Sequence, residues 1–105
     1  NATRGVFASG SGGGGAPSNV IDYVTIATTG NATDFGDMSI TVDGIGGVSD
    51  ATRAVFGGGN FGDGTGRNSG LYYITVATTG NSTSFGNLTV ARDNVLAGVS
   101  GTIPK

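Results

Sequence analysis

Apolar and polar positions alternate along most of this chain, in bursts of about eight residues. Residues 21–28 and 71–78 are β-branched and aromatic runs, which predict strands. One face of each carries Tyr23, Thr25 and Ala27, or Tyr73, Thr75 and Ala77. The other carries Val24 and Ile26, or Ile74 and Val76. Both faces read as half-buried, which suits a small sheet stacked between two others. Residues 35–42 and 85–92 alternate again, with Met38, Ile40 and Val42 on one face and Leu88 and Val90 on its counterpart. Short strands also fit residues 4–7, 46–49, 53–56 and 97–100. There is no 3.6-residue apolar period, and 22 glycines among 105 residues disfavour helix. The expected class is all-β.

The strands come in two nearly identical sets. Residues 23–38 return fifty positions later as residues 73–88, and Ala2-Thr3-Arg4 returns forty-nine later as Ala51-Thr52-Arg53. A period near fifty is one supersecondary unit in tandem, and such a unit cannot bury its apolar face alone. Residues 1–50 and 51–105 are the two units, each expected to contribute to four-stranded antiparallel blades. The chain is out of phase with a blade: it opens at the second strand and closes, over residues 96–100, with the first strand of a further unit. That last strand is expected to complete a neighbouring blade. Two units are fewer than the roughly three a repeat fold needs. Either the chain is part of a longer array or several chains assemble, three of them closing a six-bladed ring, or forming a filament if the geometry does not close. The copies differ most in two glycine-rich loops, residues 8–19 and 57–70, where recognition is expected to sit.

Composition removes whole classes of chemistry. The chain has no Cys and no His, so thiolate catalysis, disulfides, the usual structural zinc sites and the commonest general base are all excluded. Seven acidic residues against five basic ones give a net charge of −2, a poor match to a polyphosphate backbone. No apolar run approaches the roughly 20 residues of a membrane span. Neither nucleic acid binding nor membrane insertion is expected, and no cofactor is called for.

Four strands in about fifty residues, with Arg53-Ala54-Val55-Phe56-Gly57-Gly58 ahead of an aromatic β run, resemble a kelch-type β-propeller blade. The double glycine stands after the second strand, as in kelch repeats, although Ala8-Ser9-Gly10 replaces it in the first copy. The kelch tryptophan falls near Phe35 and Phe85. The wording of residues 22–37 is similar to tandem repeats in tail- or fibre-associated structural proteins of tailed bacteriophages, especially cyanophages. That resemblance implies a virion or extracellular setting and a non-enzymatic adhesion or spacer role. It carries over no catalytic residue.

Several residues are candidates for chemistry. Asp34 and Asp37 flank a turn and offer oxygen ligands to calcium, or else cap their own backbone. Asp63, in Gly62-Asp63-Gly64, faces the same choice. Arg4 and Arg53 occupy equivalent places and read as bridges to a neighbouring strand's carbonyls or Asp, or as carboxylate-reading ligands. Tyr23 and Tyr73 fit a core between blades, whereas Tyr72 faces the other way and is the aromatic expected to be exposed. With Asn60, Asp63 and Arg67 in the variable loop, Tyr72 makes up the ligand-contact set. The expected partner is the chain itself, with a cell-surface glycan as a second candidate. A lectin-like propeller and a self-assembling filament are the rival readings. Gly10-Ser11-Gly12-Gly13-Gly14-Gly15 lacks the Lys and the helix of a phosphate loop and reads as a linker.

Overall fold

The computed structural model describes residues 2–11, 16–62 and 66–93. It is all-β, with no helix among the described residues. Among the described residues seven strands follow one another: β1 (Arg4–Ala8), β2 (Ser18–Thr25), β3 (Thr33–Val42), β4 (Gly46–Ser49), β5 (Arg53–Gly57), β6 (Asn68–Thr75) and β7 (Thr83–Arg92). They form a three-stranded sheet, β1-β2-β3, and a four-stranded sheet, β4-β5-β6-β7, every neighbouring pair antiparallel. The expected strand at residues 96–100 lies outside the described residues.

The two sheets pair in the same registers. Arg4 stands opposite Thr25 and Val6 opposite Tyr23, as Arg53 stands opposite Thr75 and Val55 opposite Tyr73. Irregularities repeat as well: the β2–β3 pairing shifts between Ile21 and Asp22, and β6–β7 shifts between Leu71 and Tyr72. Each shift leaves one extra residue on the longer strand, Phe35 or Phe85, which is a β-bulge. The bulge turns Phe35 onto the face of Tyr23, ring edge to ring face at 5.8 Å, and Phe85 meets Tyr73 likewise at 6.1 Å. Simple alternation would have put Phe35 on the opposite side from Met38. Both belong to one core.

Strand limits differ from the sequence expectation in one systematic way. β2 and β6 begin at Ser18 and Asn68 and stop at Thr25 and Thr75, so the chain turns at Ile26-Ala27 and Val76-Ala77. The amides of Ile26 and Val76 donate to the carbonyls of Thr3 and Thr52, closing each sheet at its end. The β-branched run carries on past this point because Val76 packs into the core, not because the strand continues.

The core lies between the sheets. Ile21, Phe35 and Met38 of the first pack with Ala54, Phe56, Ile74 and Val76 of the second, and Val6, Tyr23, Ile40 and Tyr72 cover the margin. Fully burying a side chain of this size is worth about 1.5–3 kcal/mol. Unlike faces meet here. The first sheet offers its Tyr23 face, and the second offers the face opposite Tyr73.

Candidate functional site

Two regions gather the polar chemistry. The first is the loop end, where the chain after β5 threads between strand ends. The Gly59 amide donates to the Arg92 carbonyl at 2.8 Å, and Asn60 and Asp43 exchange main-chain hydrogen bonds at 2.8 and 3.0 Å. A Cβ on Gly59, whose φ is +100°, would press on Ile45, Val42 and the Asp43 carbonyl. Glycine is needed there for both space and conformation. Asn68, buried, holds the loop from below: its Nδ2 donates to the Gly58 carbonyl at 2.8 Å and its Oδ1 accepts the Gly70 amide at 2.9 Å. Ser18 does the lesser version in the first sheet, its hydroxyl accepting the Val20 amide at 3.1 Å.

Of the four ligand-contact candidates, this region brings two together. Asn60 Nδ2 donates to Asp93 at 3.2 Å, and Arg67 Nε lies 3.4 Å from the other oxygen of the same carboxylate. Asn60 Oδ1 also accepts the Gly62 amide at 2.7 Å. Both residues are therefore engaged in holding the loop. Asp63 lies outside the described residues. Tyr72 differs from expectation: it is half-buried and packs against the core, because its face of β6 is the one turned to the first sheet. Asp34 and Asp37 are exposed, and no cluster of three or more potential metal ligands occurs among the described residues.

The second region is the seam between the sheets, and it carries a clamp. The Gly80 amide donates to the Phe35 carbonyl at 2.8 Å and the Ser82 amide to the Asp37 carbonyl at 2.9 Å. Asn81 Oδ1 accepts the Asp37 amide at 3.0 Å, and the Ser82 hydroxyl accepts the Ser39 amide at 2.9 Å. Residues 80–82, just ahead of β7, thus satisfy the outer edge of β3, where unpaired main-chain groups would otherwise face water or another strand. The clamp closes because Gly36 has no side chain; a Cβ there would overlap the Gly80 carbonyl. From the other side, Arg4 lies over the Tyr23 ring at 4.2 Å and its Nη1 donates to the Val76 carbonyl at 3.0 Å. Arg4 thus bridges to a carbonyl, as expected, but in the turn after β6 of the other sheet and not in a neighbouring strand. An open cleft of about 310 Å³ runs beside the clamp, lined by Phe35, Tyr73 and the threonines of residues 75–83.

Thr29-Gly30-Asn31 and Thr79-Gly80-Asn81 have the residue types of turns, yet residues 80–82 also form the clamp. The signal missed was that both copies keep the same Gly-Asn pair ahead of β3 and β7, which a turn alone does not demand. No protein-family model and no curated protein matches this chain.

Proposed function

We propose that this chain is a non-catalytic structural or adhesion module of a virion or extracellular assembly, built of propeller-type repeats. Neighbouring chains or repeats complete it by strand exchange. The observation that carries this reading is the place of β4. It lies in the sequence between the two repeated sets, yet it pairs with β5 as the outermost strand of the second sheet, Val48 opposite Val55. The three-stranded sheet has no such strand on β1 among the described residues. Ala97-Gly98-Val99-Ser100 repeats the wording of β4 and is the segment that would fill that place on a neighbour. An uncovered strand edge recruits another strand readily.

Unlike faces meeting head to tail generate a ring when the rotation closes and a filament when it does not. Native mass measurement and negative-stain microscopy separate the two. The full chain is expected to assemble, and Val99→Pro, which removes a ladder donor, is expected to lower the assembly state. A protomer that stays single at high concentration and melts in one cooperative step overturns the reading.

A further inference from the structure

The joint between the two sheets is built from groups that both repeats possess, but each repeat uses only half of its set. The first sheet spends its Tyr23 face, the edge of β3 and Arg4. The second spends its Ile74 face and the loop at residues 80–82. What remains is the complementary half of the same joint. Phe85, the counterpart of buried Phe35, is exposed on the outer face of the second sheet. Arg53 lies over Tyr73 at 4.4 Å, in the pose of Arg4 over Tyr23. On the first sheet, Phe7 and Ile26, the counterparts of buried Phe56 and Val76, are exposed. The loop at residues 30–32 is exposed too. At Gly86, the counterpart of Gly36, an added Cβ would meet nothing within 4 Å.

We infer that the outer face of the four-stranded sheet, together with the edge of β7, is a docking seat for the three-stranded sheet of a second copy of this chain, set as the two sheets are set within one chain. This deepens the proposed function by naming the partner and its face. By equivalence, the second copy's Gly30 amide donates to the Phe85 carbonyl and its Ala32 amide to the Asn87 carbonyl. Asn31 Oδ1 accepts the Asn87 amide, and Arg53 donates to the second copy's Ile26 carbonyl. The occupant is identified by continuity: the faces and donors that remain are those that already make one such joint. Several positions differ from the joint inside the chain: Gly5, Val24, Ile26 and Leu88 stand where Ala54, Ile74, Val76 and Met38 form the core, and two changes alter its polarity. Asp22 stands where the second sheet has Tyr72, and Ala32 stands where Ser82 supplies a hydroxyl.

Complementary variants of the full chain test this in sedimentation velocity. Phe85→Asp blocks only the seat and Ile26→Asp only the docking face; both residues are exposed, and circular dichroism checks that each variant folds. Each alone, with Val99→Pro added to remove strand exchange, is expected to sediment as a protomer, and an equal mixture as a one-to-one complex that grows no further. If either aspartate variant unfolds, Phe85→Ser or Ile26→Ser replaces it. The inference also expects tighter assembly of the otherwise unaltered chain on restoring the missing groups. Ala32→Ser, which returns one hydrogen bond, should tighten it about fivefold, and Asp22→Tyr should tighten it as well. Assembly of either blocked variant as in the parent chain, a mixture that stays protomeric, or a parent chain that never assembles each overturns the inference. Val99→Pro introduced into both blocked partners is expected to leave the mixed complex intact, so a failure of strand exchange is read separately from a failure of face docking.

Discussion

The two sheets are close copies in sequence and register, yet their matching side chains have opposite fates. Phe35 is 2% exposed and Phe85 52%; Phe56 is 7% exposed and Phe7 64%. Nothing local explains this, because the bulge, the aromatic pair and the arginine over the tyrosine are present in both. Burial here belongs to a position in a stack, not to a residue. Each sheet has two sticky sides, and a pair of sheets can satisfy only one side of each.

That contrast can be broken most sharply at the two bulge phenylalanines. On the dissociated protomer, Phe35→Ala is expected to cost about 3–5 kcal/mol in denaturant unfolding, whereas Phe85→Ala should stay within about 0.5 kcal/mol. The two glycines beside them sharpen the comparison. Gly36→Ala and Gly86→Ala share the strain of similar φ values, +153° and +156°. Only Gly36→Ala also forces Cβ into the Gly80 carbonyl, so it should be the worse by about 1–3 kcal/mol in the same assay. Next comes the loop support. Asn68→Ala leaves the buried Gly58 carbonyl and Gly70 amide without this partner, at about 1–3 kcal/mol, and Ser18→Ala should lower stability less.

The smallest effect concerns pH. The Asp50 carboxylate accepts the amides of Arg53 and Thr52, both at 2.8 Å, and these bonds hold its pKa below the ordinary carboxylate value. A lowered folded-state pKa means that the contribution is full above the ordinary Asp range and is lost as pH falls through the folded value. The protection of the Thr52 and Arg53 amides, relative to their intrinsic exchange at each pH, is therefore expected to fall on acidification, and Asp50→Asn should flatten that dependence.

Much of this was legible in the residues. The alternating runs pointed to an all-β fold, and the duplicated wording to strands that pair in matching registers. Arg4 does bridge to a carbonyl, but the acceptor is Val76 in the turn after β6 of the other sheet, not a neighbouring strand. Two matters were not legible. Alternation cannot show a bulge, so the side on which Phe35 lies had to come from the pairing shift at Ile21 and Asp22. Nor can composition tell a loop that recognises a ligand from one that is tied down. The stretch after β5 reads as the former, and among its described residues Asn60, Asn68 and Gly59 are hydrogen-bonded within the chain. Tyr72 was misjudged for a related reason: its exposure depends on which side of β6 the other sheet occupies.

The clamp at residues 80–82 has a consequence for how such a chain changes over generations. Two of its four grips run from peptide nitrogen to peptide oxygen, Gly80 to Phe35 and Ser82 to Asp37, and the other two use the Asn81 and Ser82 side chains. The main-chain half of such a fastening reads no side-chain identity beyond the small residue that lets it close. Units joined this way keep that half of the fastening when they are duplicated or exchanged between genes, whereas their apolar faces and the Asn and Ser side chains still have to match.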